Sequence, residues 1–230
     1  MTRSIRVTSR SALVLLAACG GASTVAPKTT PPVSSAVKPS HDVARIEAGD
    51  AQFGCVGWSP KSSSAACVLG QRGTMGTWMT LSDTGAGSLG AELSDPITNS
   101  DALNALLSEG GYMKFTHDAT ELEKNNSLVV GNATLYFAAS DTPSDVDNTA
   151  PQFSTKITAE CGGKANEVFF HSEEGREYQA SVRRIGDYAL LELAWSLARE
   201  GEYGSGMDAI LVDTKTCDYA ATDVDMPTTN

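Results

Sequence analysis

The chain has 230 residues, of which 17 are Lys or Arg and 28 are Asp or Glu, for a formal net charge of −11. An acidic surface of that size repels phosphate backbones and anionic headgroups, so nucleic acid is excluded as a partner and charge is excluded as the means of holding a membrane. Twenty-one glycines and a charged fraction of 20% suit a β-rich domain with many turns.

The first predicted element is an export signal. Arg3, Arg6 and Arg10 give it a positive start, residues 12–18 form a short apolar run, and Leu16-Ala17-Ala18-Cys19 closes it. The run falls well below the roughly 20 apolar residues a membrane-spanning helix needs. Leu, two alanines and Cys in this order resemble the lipobox of bacterial lipoprotein signals, a likeness that covers about the first 21 residues. The resemblance implies cleavage between Ala18 and Cys19, a thioether-linked diacylglycerol on Cys19 and an acylated new amino terminus. The partner implied there is the lipid bilayer, held through Cys19. One acyl chain, at about 0.8 kcal/mol per buried CH2, binds marginally, and a second makes the anchor stable. Gly20 stands where the family's inner-membrane retention signal usually has Asp, so the resemblance points to the cell envelope and to its outer membrane. Residues 1–18 carry three arginines and no acid, which leaves the processed chain 14 basic against 28 acidic residues.

Residues 19–45 read as the lipidated Cys and an unfolded tether. Threonine, serine and proline dominate it, with Pro27, Pro31, Pro32 and Pro39 spaced along it, and neither Leu nor an aromatic residue is present to build a core. One folded domain is expected over residues 46–225, followed by a short tail at 226–230. Its fold class is expected to be mainly β, with antiparallel sheets in a sandwich or barrel-like arrangement and one or two short helices.

In chain order, strands are predicted at 51–58 and 65–71 around the polar loop at 59–64. A turn centred on Lys61 sets Trp58 opposite Ser64 and Cys55 opposite Cys67, which brings the two thiols within disulfide reach. A strand at 77–82 and a turn at Gly85-Ala86-Gly87 follow. The clearest helix starts at Ser100, carries Ala102, Leu103, Leu106 and Leu107 on one stripe and stops at Gly110.

Residues 112–116 read as a strand, 118–124 as a polar turn, and 128–130 with 134–138 as a hairpin through Gly131-Asn132. The polar segment 140–151 reads as a loop dividing the domain into two halves. Strands are expected at 155–160, 168–171, 178–183 and 209–212. Residues 188–199 fit both a helix, with Leu190, Leu193, Ala194 and Leu197 on one face, and a strand, with Leu191, Leu193, Trp195 and Leu197 on one face. The strand is preferred because Gly186-Asp187 precedes it and the glycine-rich segment 200–206 leads into another strand.

Export makes the remaining four cysteines readable as structural bridges. They allow three connectivities, and the expected one pairs Cys55 with Cys67 and Cys161 with Cys217. No Cys-x-x-Cys pair points to redox chemistry, and the spacing suits neither a zinc site nor any other cofactor. Chemistry has few candidates. His41 lies in the tether, which leaves His117 and His171 as the side chains able to act as a general base or a metal ligand. Both also suit surface positions at strand ends. No nucleophile elbow, zinc-binding helix or phosphate loop is present.

Asp141, Asp145, Asp147 and Asn148 form the best candidate cation loop, although Ala150 and Lys156 stand where an EF-hand needs Gly and Glu. Trp58, Trp78 and Trp195 are candidates for stacking on sugars, with a core role as the competing assignment. Taken together, these features predict a membrane-anchored docking or binding module for another envelope protein. The alternatives are a glycan or peptidoglycan binder, which needs two tryptophans exposed on one face, and an envelope hydrolase, which needs His117 or His171 beside a carboxylate in a cleft.

Overall fold

The computed structural model describes residues 42–44, 54–71, 77–88, 100–143 and 150–222. Cys19, residues 20–41 and the segment containing Asp145, Asp147 and Asn148 lie outside them.

In order, the elements are β1 (Gly54–Ser59), β2 (Ser64–Gln71), β3 (Thr77–Ser82), β4 (Gly85–Ser88), α1 (Ser100–Glu109), β5 (Met113–Lys114), β6 (Thr120–Leu122) and β7 (Asn126–Val130). They continue with β8 (Ala133–Thr142), β9 (Gln152–Cys161), β10 (Lys164–Glu174), β11 (Arg176–Ile185), β12 (Tyr188–Arg199), β13 (Glu202–Asp213) and β14 (Tyr219–Ala221). Every strand pair is antiparallel. A ten-stranded sheet runs β4-β3-β2-β13-β12-β11-β6, with β1, β5 and β14 joined at its sides, and a four-stranded sheet runs β10-β9-β8-β7. Neither closes on itself, so the architecture is a sandwich and not a barrel.

β12, in the ten-stranded sheet, feeds side chains into both of the main cores. Its Ala189, Leu191, Leu193, Trp195 and Leu197 face the four-stranded sheet and join Leu135, Phe137, Ile157 and Ala159 in the largest core. Leu190, on the opposite face, joins Trp58, Leu81, Ala209 and Leu211 in a second core under the β1–β2 hairpin. A strand covered on both faces becomes an almost continuous apolar run, which is why periodicity over 188–199 fitted two templates. Each large aliphatic side chain buried this way contributes about 1.5–3 kcal/mol. Helix α1 lays Leu103 and Leu107 on the far side of β1 and β2, where Ala44, Ala66 and Tyr112 complete a third cluster.

Several sequence expectations shift. Segment 42–44, assigned to the tether, is tied to the fold: Val43 bridges Met113, the Ala44 N–H donates to the Tyr112 carbonyl at 3.1 Å, and Ala44 is fully buried. Gly57 makes room for this layer, since a Cβ there would stand 2.5 Å from the Met113 carbonyl oxygen. Gly85-Ala86-Gly87 is strand β4, and the turn lies at Asp83-Thr84. Segment 118–124 contains β6, which pairs with β11. The supposed divider at 140–151 starts within β8 and otherwise lies in the connection of the β8–β9 hairpin, whose strands pair from Ala133↔Cys161 to Thr142↔Gln152. Glycines Gly204 and Gly206 sit within β13, opposite Leu197 and Trp195, so the β12–β13 hairpin turns through Glu200-Gly201 alone.

Cys55 pairs with Cys67 and Cys161 with Cys217 as disulfides, with Cα separations of 3.9 and 5.6 Å. The first bridge spans directly opposed residues of β1 and β2. A bulge at Val56 then takes up one residue, so Trp58 faces Ala65 and Ser59 faces Ser64, one step away from the expected register. At the other end of the sandwich Gly175 is the single residue between β10 and β11. Its φ of 72° lies in the left-handed region, and a Cβ would stand 2.4 Å from the Ala198 carbonyl oxygen, so only glycine fits this corner.

Candidate functional site

A second bulge decides what β10 presents. Its register against β9 slips between Glu167 and Phe169, so Val168 and Phe169 both turn into the core, Phe169 packing beside it. From there the alternation is reversed. Phe170 points out beside Lys156, while His171 and Glu173 point inward opposite Thr155 and Phe153.

The inward set builds a charged plug at the open end of the sandwich. Glu173 is its centre: Arg199 Nη1 donates to Oε1 at 3.0 Å, and His171 Nε2 lies 3.0 Å from Oε2. Arg176 Nε is also 3.0 Å from Oε2, but off the line of its N–H, so it forms an ion pair without an aligned hydrogen bond. The Arg176 guanidinium sits 4.7 Å over the Trp195 ring. Below the charges, Tyr178 meets Phe169 and His171 edge-on, with centroids 5.0 and 5.2 Å apart. Burial first, and the negative charge of Asp208 next, raise the Tyr178 phenol to about 12.

The hydrolase alternative therefore meets half of its requirement. His171 has a carboxylate, but Glu173 is shared with two arginines, and His171 lines neither of the two cavities described below. His117 is exposed on the loop before β6, where its carbonyl accepts Arg183 Nη1. Arg183 also donates through Nε to Glu192 Oε2 at 2.9 Å, and Glu192 Oε1 accepts the Cys55 N–H at 2.7 Å. Glu192 is buried and clamps the disulfide hairpin to β12, which is a structural role.

One cavity, of about 270 Å3, lies between the sheets behind Tyr178 and is bounded by Asp141, Phe153, Thr155, Asn125 and the Lys124–Glu177 ion pair. Another, of about 260 Å3, is lined by Asp83, Asp213, Asp218, Tyr188 and Tyr219. Burial, and then the facing Asp83 that accepts its hydroxyl, raise the Tyr188 phenol above its usual value. Asp213 is already spent on the turn, accepting the Lys215 N–H at 2.7 Å. No three His, Cys, Asp or Glu side chains among the described residues are grouped to hold a metal.

Trp58 and Trp195 are core residues, 6% and 4% exposed, and the Trp78 side chain lies outside the described set. Two of the three tryptophans are thus unavailable to sugars, and the glycan alternative loses the paired platform it needs. The exposed aromatic residues are others. On the outward face of the four-stranded sheet, Tyr136 and Phe170 are 42% and 58% exposed. Val129, 36% exposed, stands on the same face. They rise from a polar ground of Thr134, Thr158, Ser154 and Ser172, with a Lys156–Glu167 ion pair at 2.6 Å and the Tyr136 hydroxyl donating to Glu160 at 3.2 Å. Alternation over 134–138 was enough to place Tyr136 outward. Nothing in the sequence could place Phe170 there, because its direction depends on the bulge.

No family model matches the chain, and neither a curated protein nor a solved structure matches it significantly.

Proposed function

We propose that this chain is an exported lipoprotein, held in the cell envelope through Cys19, that docks another envelope protein on the outward face of the β7–β10 sheet. The observation that carries the docking reading is the pair of solvent-facing aromatics, Tyr136 and Phe170, on one rigid sheet face. Interfaces draw their energy from a few such anchors set among polar neighbours, and a face built on strands holds them without an ordering cost. The acidic charge of the chain favours a basic partner surface and keeps the domain off anionic headgroups.

The test uses the full-length protein in intact cells. A photo-cross-linking residue in place of Tyr136 is expected to capture one protein reproducibly, and Phe170→Ser with Val129→Ser is expected to lower the capture about thirtyfold, the scale of hot-spot loss. Capture of glycan fragments alone, or of nothing, overturns the docking reading. Cys19→Ser is expected to move the protein out of the membrane fraction, and retention there overturns the anchor.

A further inference from the structure

The strands that end the two sheets differ greatly in length. β4, β6 and β7 have four, three and five residues, whereas β10 has eleven. Proteins usually keep free edges short, since an edge is a row of unsatisfied N–H and C=O groups ready to pair with another chain. β10 pairs only with β9, and its outer edge has no backbone partner among the described residues.

We propose that β10 pairs antiparallel with β10 of a second copy of the chain, about a two-fold axis between Val168 and Phe169. In a regular strand neighbouring residues point to opposite faces, so a self-pairing centred between two residues would set inward side chains against outward ones. The bulge removes that conflict. Because Val168 and Phe169 both face inward, Val168 can oppose the partner's Phe169 with the faces matched along the whole strand. Glu167 then opposes the partner's Phe170 and Ala165 the partner's Ser172, all outward. Asn166 opposes the partner's His171, and Lys164 opposes the partner's Glu173, all inward. Moving the register by one residue in either direction sets inward against outward side chains at every pair but the central one.

Symmetry repeats each of these matched pairs at both ends of the ladder. The product is an eight-stranded sheet in which the outward faces of two copies lie side by side. This inference concerns the edge and does not rest on the docking face. A dimer without a captured partner, or a captured partner without a dimer, separates the two.

Ala165 and Ser172 are both exposed and stand seven residues apart on one strand, about 23 Å, too far to link within one chain. In the proposed register each directly opposes the other on the second copy. Mild oxidation of intact cells carrying full-length A165C/S172C is expected to give a covalent dimer on a non-reducing gel, while neither single variant does. A165C/F170C, a pair two residues off this register, is expected to give about tenfold less dimer. The native disulfides, checked by mass in the same samples, report that each variant has folded. Absence of a dimer from folded A165C/S172C, an equal yield from A165C/F170C, or a link to a different protein overturns the proposal.

Discussion

Tyr178 shows how one side chain records its surroundings. It is buried beneath the Glu173 plug, against Phe169 and His171, and its phenol is raised to about 12 although Arg176 nearby pulls the other way. Desolvation of the phenolate outweighs the cation, as expected where the ring is covered and the guanidinium is already engaged with Glu173 and Trp195. The unfolded chain releases this proton near pH 10, so between about pH 10 and 12 the folded state holds a proton that the unfolded state has lost. The stabilisation is complete below pH 10 and is lost as the pH rises through 12, by about 2–3 kcal/mol over the interval. Urea unfolding at pH 9.5 and 11.5 is expected to show that fall, and Tyr178→Phe is expected to flatten it. An unchanged pH slope in Tyr178→Phe would assign the fall to other groups.

At the scale of elements, the two disulfides do different work. Cys55–Cys67 crosses a hairpin already fixed by its own ladder and by Glu192, with a sequence separation of 12, while Cys161–Cys217 has one of 56 and ties the end of β9 to the turn before β14. Loop-closure entropy gives about 3 kcal/mol for the first and about 4 kcal/mol for the second. Replacing Cys161 and Cys217 with Ala is therefore expected to cost more than replacing Cys55 and Cys67, measured as the shift in free energy from urea titrations. The reverse order would show that the hairpin bridge guards more than chain entropy. The Cys55–Cys67 pairing was readable in the sequence, as were the helix, the Gly131-Asn132 hairpin and β12, because each is signalled by local turn chemistry or by residues of one strand, whereas Cys161–Cys217 followed only as the remaining pair. The bulges at Val56 and Val168 were not, since nothing local distinguishes an extra valine in an apolar run. The short strands β4, β6 and β14 were not either, because their pairing is supplied by neighbours distant in sequence. The candidate site divides in the same way: His171 was visible as a residue type, whereas its inward direction, its contact with Glu173 and the exposure of Phe170 all follow from one bulge.

For the whole molecule, the decisive boundary is the one between the fold and what holds it in place. Composition set that boundary at residue 46, yet Ala44 is fully buried, and the strip 42–44 adds two backbone hydrogen bonds along Met113, from Ala44 to Tyr112 and from Lys114 to Asp42. A Ser/Thr/Pro-rich composition describes the average of a segment and is blind to a few residues that fit an open sheet edge. On the lipoprotein reading the tether is then residues 20–41, about 70 Å when fully extended as polyproline. The strip closes the outer edge of β5, where Gly57 has given up its side chain to let it approach. Two hydrogen bonds at about 1 kcal/mol each place its contribution near 2 kcal/mol. For a domain of this size that corresponds to about 4–8 °C in melting temperature. Chains starting at residue 42 are expected to melt with the longer forms, and chains starting at residue 45 to melt lower by that amount, followed by circular dichroism at fixed protein concentration. Equal melting of the two shortened forms would return residues 42–44 to the tether and move the start of the fold back to where composition placed it.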